Sequence, residues 1–225
     1  MSRKLADLSA CIIACRACPR LVRWREQVAR AKRAAYRDEN YWGRPVPGFG
    51  DPAARVVVCG LAPAAHGGNR TGRVFTGDRS GDWLFASLHR AGFANQPTSR
   101  RRDDGLALTG CYVTACVRCC PPENKPTTAE RDACLPYLAR ELALLRRARC
   151  VVCLGGFAWA VVLHVLSQTC SLPRPRPHFG HGAEAAVSPY TLLGCYHPSQ
   201  QNTFTGRLTR RMLDAIFTRA RELAQ

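Results

Sequence analysis

Short apolar runs alternate along this chain with longer stretches in which apolar residues recur every three or four positions. Val56-Val57-Val58 is the first run and ends in Cys59-Gly60. Residues 111–117, 150–156 and 190–195 are the others, rich in β-branched residues. Runs this short, apolar without alternation, predict strands buried on both faces. Helical patterns lie around them. Leu21, Trp24, Val28 and Ala31 mark an amphipathic helix within the basic segment 21–37. Ser80 or Asp82 can cap a second helix that runs to Ala91. Thr127-Thr128-Ala129-Glu130 has the form of a capping box. It opens a helix through Leu135, Leu138, Leu142 and Leu145, whose first turns Pro136 is expected to bend or interrupt. Residues 157–166 form an apolar helix, and 207–223 a last one with Leu208, Met212, Ile216 and Ala220 on one face.

Apolar strands alternating with helices predict a parallel sheet covered on both faces. The expected fold is α/β, a three-layer α/β/α sandwich with a four-stranded, mainly parallel sheet. A chain of 225 residues suits one domain, 1–225, in which 1–50 form a basic N-terminal helical segment. Residues 41–50, 98–105 and 171–181 read as links. No run approaches the roughly 18 apolar residues of a membrane span. Met1-Ser2-Arg3-Lys4-Leu5-Ala6-Asp7 carries no apolar region of a secretory signal. A cytoplasmic protein that makes no membrane contact and acts as a monomer is the expectation.

Charge changes the picture more than composition does. Thirty-three Lys and Arg against 16 Asp and Glu leave a net charge of +17, which calls for an anionic partner. A nucleic-acid backbone is the natural one. Thirteen cysteines without a secretion signal argue against a disulfide framework. Three pairs have C-x-x-C spacing: Cys15/Cys18, Cys116/Cys119 and Cys150/Cys153. The last lies in a Val-rich strand, where residues three apart face opposite ways, and reads as core. The other two pairs together would make a zinc ribbon, and by residue type four thiolates hold zinc or a [4Fe-4S] cluster equally well.

The candidate chemistry gathers after the first strand. Residues 60–78 hold Gly60, Gly67, Gly68, Gly72 and Gly77 with Arg70, Arg73 and Phe75, and no carboxylate before Asp78. Strand-end loops of α/β sheets are where such folds place ligands. Neither G-x-G-x-x-G nor G-x-x-x-x-G-K-[ST] is present, so the nucleotide motifs fail.

Gly60-Leu61-Ala62-Pro63, His66-Gly67-Gly68-Asn69-Arg70-Thr71-Gly72-Arg73 and Phe75-Thr76-Gly77-Asp78 resemble the first motif of the family 5 uracil-DNA glycosylases. His197-Pro198-Ser199-Gln200-Gln201-Asn202-Thr203-Phe204-Thr205-Gly206-Arg207 resembles the second. The resemblance implies the same sandwich, with its N-terminal helical element pinned by a [4Fe-4S] cluster on Cys15, Cys18, Cys119 and Cys134. Cys119 against Cys120 stays open in that register. It implies release of uracil from DNA by base flipping, leaving an abasic site.

On that pattern Gly60, Leu61, Ala62, Phe75, Ala115 and His197 surround the flipped base. His197 donates to the departing base, whose negative charge grows in the transition state. The carboxylate of related families is replaced by Ala62. Water positioning falls to Asn69, His66, backbone groups or the DNA itself, with Asn69 preferred. Asp78 reads as a turn or helix-start residue. Arg70, Arg73, Ser199, Asn202 and Arg207 are expected at the DNA. With Ala62 and Ala115 both apolar, the pocket is expected to admit other deaminated bases, hypoxanthine first. Two readings compete: a non-enzymatic basic DNA-binding module with a zinc or iron–sulfur staple, and a hydrolase of free nucleotides.

Overall fold

The computed structural model describes residues 3–225. Its centre is a six-stranded sheet in the order β1-β3-β2-β4-β6-β5. The four expected runs form β2 (Val56–Gly60), β3 (Cys111–Ala115), β4 (Cys150–Leu154) and β6 (Tyr190–Cys195), all mutually parallel. Two short antiparallel strands, β1 (Phe49–Gly50) and β5 (Glu184–Val187), extend its edges, so four strands become six. β1 is two residues long inside a Gly/Pro stretch and carries no readable pattern. β5 alternates exposed Glu184 and Ala186 with buried Ala185 and Val187, the period-two signature of an edge strand.

Alternation within the central strands assigns the two faces. Val56, Val58, Val113, Val152 and Leu193 point to one layer, where α4 (Arg79–Arg90) and α8 (Arg210–Leu223) add Leu84, Phe85, Leu88, Leu213 and Phe217. Val57, Tyr112, Val151, Cys153 and Leu192 point to the other. There α1 (Arg3–Ala14), α5 (Thr128–Leu144) and α6 (Gly156–Leu166) supply Leu5, Leu138, Leu142, Val162 and Leu163. Truncating one such leucine to alanine costs about 2–5 kcal/mol. The three layers are those expected.

The N-terminal segment differs in detail. It holds two helices, α1 and α2 (Pro19–Ala31), and α2 stops after Ala31, the last residue of the expected face, where Lys32 takes φ 53°. α4 begins earlier than expected because Asp78, not Ser80 or Asp82, accepts from Gly81 N at 2.9 Å. α5 is capped by the predicted box between Thr127 and Glu130. It runs unbroken through Pro136, which with Asp132 one turn earlier lies on the exposed face, so the freed carbonyl meets water. Two short helices, α3 (Gly68–Thr71) and α7 (Gln200–Phe204), lie inside the two motif loops.

A buried ion pair ties the end of β3 to α5. Arg118 and Glu141 are each about fully enclosed, and Glu141 also accepts from Thr114 Oγ1, Tyr112 Oη and Gly48 N. Removing one member of such a pair costs about 3–5 kcal/mol, because the other charge is stranded.

Candidate active site

The C-terminal ends of β2, β3 and β6 open on a cavity of about 600 Å³. Leu61, Ala62 and Ala64 line it from the loop after β2, Phe75 and Asp78 from the rest of that loop, and Arg79 and Ser80 from the start of α4. Glu123 and Asn124 enter from the loop after β3, and His197, Ser199, Gln200 and Gln201 from the loop after β6.

Phe75 is the platform. Its backbone sits at φ 52°, a left-handed conformation that a bulky side chain adopts only under constraint. Two glycines make room for it. A Cβ on Gly81 would stand 1.8 Å from Phe75 O, and one on Gly60 would stand 2.5 Å from the ring. The Phe75 and His197 rings lie 5.8 Å apart between centroids, tilted by 36°. His197 is oriented from behind by Asn202, whose Nδ2 donates to the His197 carbonyl at 2.9 Å. Ser199 caps α7 by accepting from Asn202 N. Burial pushes the His197 pKa down to about 4, so the imidazole is neutral at physiological pH and keeps one N–H to donate. Burial also raises the pKa of Asp78, which caps α4 and faces the cavity together.

Several expected assignments change. Asn69 is buried, outside the cavity lining, and donates from Nδ2 to Arg25 O at 3.2 Å. Arg70 is buried, stacked on Tyr36, and hydrogen-bonded to His66 O, Gly77 O and Glu39. Arg73 donates from Nη2 to both Asp104 carboxylate oxygens and to Ser99 Oγ, and from Nε to Thr76 Oγ1. Both guanidinium groups are engaged largely by the fold itself. Asn202, expected at the DNA, is partly exposed and holds the His197 backbone through its amide. Ala115 pairs in register with Gly60 and is buried in the core, outside the cavity lining. Leu61, Ala62, Phe75, His197 and Ser199 do meet at the cavity, Gly60 makes room for the ring, and Arg207 stays exposed with its guanidinium 4.7 Å over Tyr196. Glu123 and Asn124 escaped the sequence reading. Their one signal is the position of Pro121-Pro122-Glu123-Asn124-Lys125-Pro126 directly after a strand end.

A second, smaller cavity is lined by Cys15, Cys18, Cys119 and Cys134 together with Arg25, Arg118 and Tyr137. Cys116 lies elsewhere, with its sulfur 3.5 Å from that of Cys59 in the core, and Cys120 does not face this cavity. Arg25 is buried, donates to Cys119 Sγ at 2.9 Å and to Cys15 O at 3.2 Å, and forms no ion pair with a carboxylate among the described residues. The Nε atoms of Arg25 and Arg118 have no hydrogen-bond partner. Arg118 is already paired with Glu141, but Arg25, a buried cation without a carboxylate partner beside four thiols, suits an anionic tetrathiolate group.

An aromatic ring beside an imidazole at the strand ends of a basic α/β protein suits a flat ring carried on a polyanion. Comparison with known proteins narrows the class. Residues 47–221 match the uracil DNA glycosylase superfamily. A type-5 uracil-DNA glycosylase of Mycobacterium tuberculosis is 55% identical over 222 residues, covering 98% of this chain and 82% of that protein. One from Thermus thermophilus is 51% identical over 214 residues, 95% of either chain. A type-4 enzyme of Archaeoglobus fulgidus is 35% identical over 156 residues, 68% of this chain and 70% of its own. The chain belongs to the uracil-DNA glycosylase superfamily, in its type-5 branch, the DNA-repair hydrolases that the two motifs resemble.

Proposed function

We propose that this enzyme takes a uracil nucleotide of DNA into the cavity lined by Phe75 and His197 and hydrolyses its N-glycosidic bond, leaving an abasic site. The observation that carries the reading is the pairing of a constrained aromatic platform with a neutral imidazole at one cavity. The base stacks on Phe75 against the apolar wall of Leu61 and Ala62. As the bond from C1′ to the base breaks, its electron pair leaves with the base, and the charge grows on the base oxygens. His197 N–H donates there, and one such donor typically contributes about 10²–10³ in rate. Water attacks C1′ and its proton leaves to solvent or to the base. Asn124 is the residue to orient that water, since it lines the cavity and an amide both donates and accepts. Arg207, Arg79 and Arg210 are exposed near the rim and supply phosphate contacts.

The four thiols of the second cavity fit a [4Fe-4S] cluster by charge, and Cys15, Cys18, Cys119 and Cys134 would hold it. When bound, it supplies a structural tie between the N-terminal helices and the sheet, with no part in bond cleavage. Leu61, Ala62 and Ala64 present no polar side chain to leave unpaired on their side of the cavity, which supports release of hypoxanthine as well. The test is single-turnover release from matched duplexes holding one uracil or one hypoxanthine. Release of uracil with hypoxanthine within a few decades of it is expected. No release of either would end the reading, and release of uracil alone would end its wider scope.

A further inference from the structure

The turn that carries Glu123 and Asn124 into the base cavity has two successive non-glycine residues in the left-handed region, at φ 53° and 57°. Such backbone persists only where its surroundings over-determine it. On its N-terminal side the chain is anchored through Cys116 N and Val117 N, which donate to Gly60 O and Leu61 O at 2.9 Å. On its C-terminal side the anchor is Arg20. Its Nη2 donates to Lys125 O at 3.1 Å, while Nε and Nη2 fork onto the Glu130 carboxylate at 2.8 Å each. Glu130 Oε2 also accepts from Thr127 N at 2.8 Å. One guanidinium therefore joins the turn, the first turn of α5 and the start of α2.

Arg20 follows Cys18 by two residues and does not line the base cavity. A half-exposed ion pair usually contributes little. This one differs in that the fork is bidentate and a third acceptor is a backbone carbonyl, which fixes the direction of the chain. The capping box closes without Arg20, since Thr127 and Glu130 satisfy each other. What Arg20 adds is the bond to Lys125.

We propose that Arg20 is a positioning residue for base release. From the cysteine-bearing N-terminal arm it holds the Glu123–Asn124 turn against the base cavity, and so couples the docking of that arm to the shape of the active site. The inference rests on the proposed role of Asn124 in base release.

The clamp can be tested with the iron-loaded enzyme. Arg20→Ala should lower the single-turnover rate of uracil release by about tenfold or more, the scale of a misplaced catalytic group. Iron content and visible absorbance should stay unchanged, and affinity for undamaged duplex should stay within about twofold. Arg20→Lys, which reaches one acceptor but not the fork, should recover part of the rate. Combining Arg20→Ala with Asn124→Ala should lose no more than Asn124→Ala alone, because residues acting through one another are not additive. An unchanged rate in Arg20→Ala, or additive losses in the double variant, would overturn the proposal. So would iron loss in both Arg20 variants in proportion to lost rate, for Arg20 would then serve the thiol cavity. Hydrogen exchange of residues 121–127 tests the clamp without activity and should quicken in Arg20→Ala. Unchanged exchange overturns the clamp even where base release is robust. A wild type that releases no base defeats the proposed activity and leaves the exchange result to judge the clamp.

Discussion

His197 concentrates the chemistry of the site in one side chain, and its environment decides its form. Burial lowers its pKa to about 4, well below the ordinary histidine value near 6.5. The folded protein therefore binds its proton less readily than the unfolded chain does. This makes the histidine's contribution fully favourable above pH ~6.5 and increasingly unfavourable as pH falls toward 4. Two outcomes follow for the wild type and His197→Gln. Uracil release should not follow a histidine titration between pH ~5 and 8, and the urea midpoint of the wild type should drop more steeply than the variant's on going from pH 7 to 4.5. Parallel acid sensitivity in the two proteins would show that His197 is not held neutral. His197→Ala should slow single-turnover release by about 10²-fold or more, as for loss of one transition-state donor, while duplex binding persists. Ala115 presents the opposite case. Placed in the core beside Gly60 instead of in the cavity, its change to Asn should bury an amide at about 1–3 kcal/mol and leave the ratio of uracil to hypoxanthine release unaltered. A shifted ratio in a chain of normal stability would return Ala115 to the pocket.

At the scale of elements, the segment from α1 to α2 has little apolar surface of its own and depends on partners. Leu5, Leu8 and Ile12 are buried along α1, and Leu21 joins Val117, Cys119 and Cys134 in a small satellite core that also touches Ala62. The thiol cavity and the base cavity thus share a wall. Anaerobically purified protein should contain about four irons per chain with matching sulfide. Cys15→Ala and Cys134→Ala should lose the iron and several degrees of thermal midpoint, while Cys153→Ala and Cys120→Ala keep the iron. Stoichiometric zinc without sulfide would refute the cluster, and iron loss confined to Cys120→Ala would transfer the third ligand to that residue. Arg25→Met should also weaken iron retention, because it removes the buried cation that donates to Cys119.

For the whole molecule, the surplus of 17 positive charges is divided between two jobs. Arg25, Arg70, Arg73 and Arg118 are buried and bind the fold together, whereas Arg79, Arg100, Arg101, Arg102, Arg207 and Arg210 are exposed. Counterion release predicts that log affinity for undamaged duplex falls with log salt by about 0.9 for each phosphate contact. Arg207→Ala should reduce that slope by about one. Arg73→Ala should instead lower the unfolding midpoint, since it strands Asp104 and Ser99, and leave the slope of the folded protein as it was. A reduced slope in a stable Arg73→Ala chain would mean that Arg73 reaches DNA after all. No helix among the described residues is long and apolar enough to cross a membrane.

The sequence by itself determined what depends on near neighbours. The apolar runs specified the four parallel strands, Thr127 and Glu130 specified the start of α5, and the two motif loops specified where Phe75 and His197 would meet, because each rests on local pattern or on residue type. Strands too short for a pattern, such as β1, took form only through their neighbours in the sheet. The larger share of what tertiary structure decided concerns the arginines and amides. An arginine in a glycine-rich loop has the same chemistry whether it meets phosphate or Asp104, and only packing chooses the partner. Asn69 and Asn124 are likewise the same amide. One closes a buried contact to Arg25 O, and the other is held in the base cavity by a left-handed turn whose anchors, Arg20 and the carbonyls of Gly60 and Leu61, lie far away along the chain. Non-local contacts carry no trace in the spacing of residues, because side-chain direction is set by the surrounding fold and not by the residue's own neighbours.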